Sequence, residues 1–441
     1  MVRRRDLRAA ASRGGEVTRG GRGFPRRRCL QAAAAVALAP LAGCSRPSGR
    51  CSISLWFSYG GKNRLVLLDL VGRFNREQAA VHVVPTFQGD YFEGLAKLRT
   101  ALYAGAAPAL SHVVAEVVPY LAEAGVLAPL EEVGDEVLRD LVPELCQAGT
   151  FAGGAGRPVV ALPFNRSTPI AYFNRALFAE LGLEPPRTWE ELAQVARQAT
   201  ARRAGESVRW GFECPVDWWF WTAMVGQAGG ELVEPDGTLS LGGAAGVRAL
   251  GLWQKLARSE RVMKPPPGRD YNAWEATNTD FLAGRAAMIW TSTAFLRYLE
   301  ESASFPVGAA PLPRDRRAAV PTGGTMFVMP RGLGRAERQA GLGFLRWMMQ
   351  PAQANEWATR TGYLPVSRRG LTELEKQGYY DRHPGDRVAV DQLACARPWP
   401  WKPELFRVQR EAVQPRLEEA VLSGRDAAET LAEARRVAEQ P

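Results

Sequence analysis

Ile53-Ser54-Leu55-Trp56-Phe57 is a short run of β-forming residues, and the chain beyond it repeats one pattern as far as Val114. Lys62 to Glu77 sets Leu67, Leu70, Val71 and Phe74 at i, i+3, i+4 and i+7, the spacing of a single helical face. Val81 to Phe87 reads as the next strand, Tyr91 to Tyr103 as a helix with Phe92, Leu95 and Ala96 on one side, and Ala109 to Val114 as a third strand. Strand, helix, strand, helix, strand implies α/β architecture, with a parallel sheet covered by helices. Sheets of this kind hold their ligands beyond the carboxyl ends of the strands.

Toward the C-terminus the pattern resumes after Gly153-Gly154. Val159 to Phe164 and Ile170 to Phe173 read as strands, and a helix begins near Asn174. Pro185-Pro186 breaks the chain. Thr188-Trp189-Glu190-Glu191 then has the form of a capping box, with a long helix expected to reach Arg203. Val208 to Cys214, a Trp-rich segment from Trp218 to Trp221, and helices near Ala244 to Ser259 and Trp274 to Ala283 follow. Ala286 to Thr291, Val307 to Ala310 and Thr325 to Met329 are further short strands, so strand-forming segments continue long after one sheet is complete. The last hundred or so residues are mainly helical: Ala336 to Met349, Glu404 to Ser423 and Asp426 to Ala438, with Pro415 expected to kink or split the second of these.

Toward the N-terminus, Arg26-Arg27-Arg28-Cys29-Leu30, the apolar run Ala32 to Ala39 and Leu41-Ala42-Gly43-Cys44 form a basic segment, a short apolar core and a small-residue cleavage site. That is the layout of a secretory signal. Pro40 ends the apolar run far short of the roughly 20 residues a membrane span needs. Cys44 directly after Leu-Ala-Gly resembles the acylated first residue of a lipoprotein, which makes residues 1–43 a signal peptide and 44–50 a lipid-anchored tether. The Arg pair with Leu two residues beyond it resembles a twin-Arg export signal, although Pro25 and Cys29 depart from that pattern. The general export route remains open.

The leader also decides what the charge means. Residues 1–43 carry ten Arg against Asp6 and Glu16, which accounts for +8 of the chain's net +10. The mature protein is therefore nearly neutral, and a nucleic-acid partner is not expected. The 398 residues that remain exceed what one hydrophobic core usually serves, so two domains are expected. Cys51, Cys146, Cys214 and Cys395 allow three disulfide pairings, among which the sequence does not choose. No two of them stand at metal-ligand spacing. With His only at 82, 112 and 383, neither a metal site nor a His-based triad is expected, and no cofactor is implied.

Several segments together carry a family resemblance. They are Gly89-Asp90-Tyr91, Leu162-Pro163-Phe164-Asn165-Arg166-Ser167-Thr168-Pro169 with Tyr172-Phe173-Asn174, the Pro185-to-Glu191 stretch, Phe281 to Met288, Gly323-Gly324, Arg360 to Pro365, and His383 to Val390. From about Ile53 to its end the chain resembles the extracellular solute-binding proteins of ABC importers, in the carbohydrate-binding group. Within that group the likeness is greatest to the periplasmic sn-glycerol 3-phosphate-binding proteins. The resemblance implies a two-lobe periplasmic-binding-protein fold whose three hinge crossings flank the ligand cleft. The crossings are expected near Phe164–Pro169, Ile289–Ser292 and Thr322–Gly324. One lobe is then 51–165 plus 291–322 and the other 166–290 plus 323–441.

The same resemblance implies ligand-binding residues. Tyr91 would contact a polyol through ring and hydroxyl, and Glu116 would accept from glycerol hydroxyls. Ser167 and Ser292 would donate to the ligand, and Gly324 would bring a bare backbone amide to phosphate. Tyr363 lies within Thr-Gly-Tyr-Leu-Pro, and Trp219, rather than Trp218, would form an aromatic wall. One position departs from the family: where an Arg is expected to grip phosphate, this chain has Lys402, a point charge without a bidentate fork. Arg397 and Arg166 are the alternative cations.

The expected function is that of a binding component, not an enzyme. It would be exported to the outer side of the cytoplasmic membrane, lipid-anchored and monomeric, and would capture glycerol 3-phosphate or a glycerophosphodiester for delivery to permease subunits powered by their ATPase. A neutral oligosaccharide is the alternative ligand. A secreted carbohydrate or phosphate-ester hydrolase is the rival class, but Glu116 is the one acid that can be assigned to the cleft, and a glycosidase needs two facing carboxylates.

Overall fold

The computed structural model describes residues 49–146, 157–267 and 270–440. The signal segment and Cys44 lie outside the described residues. In chain order the strands that build the two main sheets are β1 (Cys51–Phe57), β2 (Val81–Phe87), β3 (Leu110–Val114), β4 (Ala161–Ser167), β5 (Pro169–Asn174), β6 (Phe212–Glu213), β7 (Met263–Lys264), β8 (Met288–Ser292), β9 (Val307–Ala310) and β10 (Gly323–Val328). The helices that matter most for the site are α1 (Gly61–Glu77), α2 (Tyr91–Tyr103), α3 (Trp189–Ala199), α4 (Trp218–Gln227), α5 (Arg335–Met348) and α6 (Pro351–Thr361).

The first sheet has the order β2-β1-β3-β10-β4. β1 is parallel to both neighbours, as the alternating pattern predicts, whereas β10 runs antiparallel to β3 and β4. Ile53, Leu55 and Phe57 point into the core on the period of two expected of a strand, and Leu67, Leu70, Val71 and Phe74 of α1 are all buried. α1 packs on β2, α2 on β3 and α5 on β1. The second sheet has the order β9-β5-β8-β6-β7, with β5 antiparallel to both β8 and β9. The two sheets are the cores of two α/β lobes.

Two segments pair differently from the expected division. β9, expected in the first lobe with 291–322, is hydrogen-bonded to β5 in the second sheet. β10, expected in the second lobe with 323–441, lies between β3 and β4 in the first, and α5 and α6 follow it there by packing on β1 and α1. β8 sits wholly within the second sheet, so Ile289–Ser292 is not where the chain changes sheets; it does so between β9 and β10. A short apolar strand carries no mark of its partner, and β10 is taken up where β3 and β4 each offer an open edge. At the first change of sheet β4 ends at Ser167, Thr168 spans the gap, and β5 begins at Pro169.

Local readings also shift. α3 stops at Ala199, and Ala201–Arg203 turns into a hairpin with Glu206–Arg209 instead of continuing the helix to Arg203. Thr188 does cap α3, accepting from the Glu191 amide at 3.1 Å, but the Glu191 carboxylate accepts from Arg187 N rather than from the cap residue. Pro415 disrupts its helix as expected: a widened π-type turn at Val408–Val413 precedes the regular helix Gln414–Ser423. The four described cysteines are free thiols.

Candidate ligand-binding site

The carboxyl ends of β1, β2, β3 and β4 and the start of antiparallel β10 share one edge of the first sheet, because β10 enters the ladder with Gly323 opposite Ser167. In the second sheet the end of β8 and the start of β5 also share an edge, with Ser292 opposite Pro169. Ser167 and Pro169 flank Thr168, so these two edges meet there. Ser167, Ser292 and Gly324 lie at that junction, and Tyr91, Tyr363, Trp219 and Glu116 interact with residues beside it.

Tyr91 opens α2, whose N-terminus is fixed by a capping box: the Asp90 side chain accepts from the Phe92 and Glu93 amides at 2.8 Å, and the Glu93 carboxylate reaches back to the Asp90 N–H. Tyr363 follows α6 after Gly362 and stacks on Trp357 at 5.5 Å and 14°. Both hydroxyls accept from Asn165 Nδ2 at 3.3 Å. The other end of the Asn165 amide, Oδ1, accepts from Thr325 N at 2.7 Å and from the Thr325 hydroxyl. Asn165 itself is completely buried. Tyr59, just after β1, places a buried hydroxyl without a hydrogen-bond partner among the described residues near Tyr91.

Glu116 sits in the turn after β3 with Oε2 buried and unpartnered among the described residues. Burial pushes its carboxyl up to about 7; the Arg166 guanidinium opposes that shift and the Asp217 carboxylate adds to it. Asp217 caps α4 by accepting from Trp219 N at 2.8 Å, and its second oxygen accepts from Trp274 Nε1 at 3.4 Å. The Trp219 ring, 5.3 Å from that of Trp274, donates from Nε1 to Thr322 O at 3.3 Å and lies so close to Gly323 that a Cβ there would stand 2.5 Å from its Cζ2. Ser167 shares this corner, opposite Gly323. Ser292 ends β8, and its hydroxyl accepts from Ala294 N at 3.2 Å, which leaves its proton to donate.

Gly324 has a local structural reason to be glycine. Its φ is +85°, and a Cβ would lie 1.8 Å from Asn165 O, at the bulge where β10 shifts register against β4. The backbone crowding by β4 alone excludes a side chain, whatever its amide meets.

The three candidate cations behave differently from one another. Lys402 pairs with Glu404 at 2.9 Å, so its ammonium is already engaged close by in the chain. Arg397 is exposed, while its backbone oxygen accepts from Thr322 N at 3.2 Å. Arg166 is buried, and its donors go to Leu145 O at 3.0 Å, Gly324 O at 3.1 Å and Thr322 Oγ1 at 2.7 Å. Burial lowers its pKa to about 10, against the pull of Glu116. Its role in the fold is to tie β4 to the start of β10.

Asn165, Asp217, Trp274, Thr322 and Trp399 were not singled out as site residues by the sequence. Trp399 donates to Thr322 O at 2.7 Å, so two indoles converge on one carbonyl at the entry to β10. A signal existed for two of these residues: Asn165 is polar within a strand that is otherwise largely apolar up to its end, and Asp217 directly precedes the Trp-rich helix in the N-cap position.

Comparison with known proteins places this architecture. Residues 69–370 match the family model described as bacterial extracellular solute-binding protein. The chain belongs to that family. It is 26% identical over 392 residues to the sn-glycerol-3-phosphate-binding periplasmic protein UgpB of Pectobacterium atrosepticum, covering 84% of this chain and 85% of that one. It is also 26% identical over 368 residues to the protein of the same name from Escherichia coli O1:K1, covering 79% and 82%. Among solved structures it resembles UgpB from Mycobacterium tuberculosis in complex with glycerophosphocholine, with a TM-score of 0.77, 25% identity and coverage of 89% and 98%. The maltotriose-bound MalE domain of Bdellovibrio bacteriovorus superposes with a TM-score of 0.76 at 18% identity, covering 88% and 99%, and shows the shared fold. As a member of this family the chain is a solute-binding protein of an ABC importer. No helix among the described residues is long and apolar enough to cross a membrane.

Proposed function

We propose that this solute-binding protein captures a glycerophosphodiester, or less tightly glycerol 3-phosphate, and delivers it to its permease without altering it chemically. The observation that carries the reading is the junction of Tyr91 and Tyr363 on Asn165, beside Ser167 and Glu116, because these groups offer directed hydrogen bonds to a polyol. The relatives named as sn-glycerol-3-phosphate-binding proteins point to the same ligand class. Unpaired polar groups in a closed cleft would penalise ligands that cannot meet them.

The distribution of charge argues for the diester over the monoester. Lys402 is paired, Arg166 is occupied by three acceptors, and Glu116 and Asp217 add acidic groups to the site. A phosphomonoester bears close to two negative charges at neutral pH and a diester one, so the diester is easier to accommodate. A neutral oligosaccharide is the second reading, favoured by the same engagement of Lys402 and Arg166 and by the Trp219–Trp274 aromatic face.

Calorimetric titration and thermal shift with glycerophosphocholine, glycerol 3-phosphate and maltotriose test this. A ligand at 100 times its Kd adds about 2.7 kcal/mol of stability. The expected order is diester, monoester, sugar; stabilisation by maltotriose alone would replace the proposal with the sugar reading. We further propose that the exported protein is held at the membrane through Cys44 and works as a monomer. A Cys44→Ser variant released into the soluble fraction, with loss of fatty-acid labelling, is the expected outcome.

A further inference from the structure

Asn165 is buried, has all its hydrogen-bonding capacity engaged, and lies under the two candidate ligand tyrosines. A primary amide has two N–H donors and two acceptor lone pairs. The Thr325 backbone N–H can only donate, so the atom it meets at 2.7 Å must be the amide oxygen. That contact settles the orientation of the amide: its NH2 group faces the tyrosines, with one hydrogen for each hydroxyl at 3.3 Å. Each tyrosine oxygen is therefore an acceptor toward Asn165, and each phenolic proton must be directed away from it.

We propose that Asn165 is a positioning residue that sets the hydrogen-bond polarity of the Tyr91–Tyr363 pair, turning both phenolic protons away from β4 so that the pair can donate toward acceptor atoms of the ligand. This rests on the reading of Tyr91 and Tyr363 as ligand residues. Asn165 does not touch the ligand itself, because it is buried behind both rings. The specificity that follows is for a ligand presenting oxygen acceptors here, such as a phosphate or ether oxygen, over one presenting only a donor. The arrangement also links the end of β4 to β10, since Asn165 on β4 is held by Thr325.

Asn165→Asp is nearly isosteric and inverts the polarity: an ionised carboxylate can only accept, so the tyrosine protons turn inward. The experiment measures glycerophosphocholine affinity for the wild type, N165D, Y91F, Y363F and the N165D/Y91F double variant, with melting temperatures as a check on folding. The expected result is at least a tenfold loss for N165D, a loss for Y91F, and a double variant no worse than the weaker single, because both changes remove the same donor. An N165D affinity within twofold of wild type, or losses that multiply in the double variant, would overturn the assignment. If N165D does not fold, Thr325→Val, which removes one of the two donors that orient Oδ1, takes its place; a loss of about threefold or more that is coupled to Y91F is expected, and an uncoupled or absent loss overturns the proposal. If wild-type protein binds none of the ligands tested above, the functional reading fails first and separately.

Discussion

Replacing Glu116 by glutamine should change the pH dependence of stability by a calculable amount. In the folded protein burial raises the Glu116 carboxyl from an ordinary 4.5 to about 7, with Arg166 opposing and Asp217 reinforcing the shift. An acid whose folded pKa is raised binds its proton more tightly folded than unfolded. Its contribution to stability is therefore fully present below pH 4.5 and is lost as pH rises through 7. Linkage over that interval gives a loss of roughly 1 kcal/mol by pH 5 and roughly 3 kcal/mol by pH 8, or about 2–3 kcal/mol between the two. A glutamine side chain cannot ionise, so E116Q should gain about 2–3 kcal/mol relative to wild type on going from pH 5 to pH 8. Urea denaturation at the two pH values, without ligand, measures this directly. The comparison has to be between the two proteins, because Glu213, raised to about 9 chiefly by burial, loses stability over an overlapping range in both of them. A difference between wild type and E116Q that does not move with pH would refute the reasoning. It would mean that water or Arg166 neutralises the carboxylate in place.

Gly324→Ala should cost about 2–3 kcal/mol, from its positive φ and the contact its Cβ would make with Asn165 O, and a lowered urea midpoint at unchanged m-value checks this. Arg166→Met should destabilise by about 3 kcal/mol or more, because it strands Leu145 O, Gly324 O and Thr322 Oγ1 together. A stable R166M with weakened binding of phosphate-containing ligands alone would instead return Arg166 to the role of ligand cation. Lys402→Ala should change stability by less than about 1 kcal/mol, since the Lys402–Glu404 pair is partly solvated. If Lys402 meets phosphate in the ligand-bound protein, K402A lowers affinity for phosphorylated ligands and spares maltotriose; an equal loss for both removes that role.

The elements of the first half were legible from residue spacing. β2 and α2 fall on their expected boundaries, and the face of α1 is the buried one, because strand and helix periods write local burial directly into the sequence. The end of α3 was not legible: the Thr200 hydroxyl accepts from Gly211 N, and the hairpin at Ala201–Arg209 takes over where the helical pattern would continue. Of the residues that motif likeness brought forward, Tyr91, Glu116, Ser167, Ser292, Tyr363 and Trp219 stand at or beside the junction of the two sheet edges. The same likeness brought forward Lys402, whose ammonium is engaged by Glu404, and Gly324, whose glycine is explained by backbone crowding.

By itself the sequence determined the class of fold, the positions of most strands and helices, the near-neutral charge of the residues beyond 43, and the family. These follow from local periodicity, composition and short motifs, which need no knowledge of what lies across the chain. Only the tertiary structure decided which sheet receives β9 and β10, that the Arg166 side chain is spent on the fold, and that Asn165 stands beneath both tyrosines. Each of these depends on partners far apart in sequence meeting with one geometry, and a donor, an acceptor or an open strand edge acquires its role only when that meeting is made.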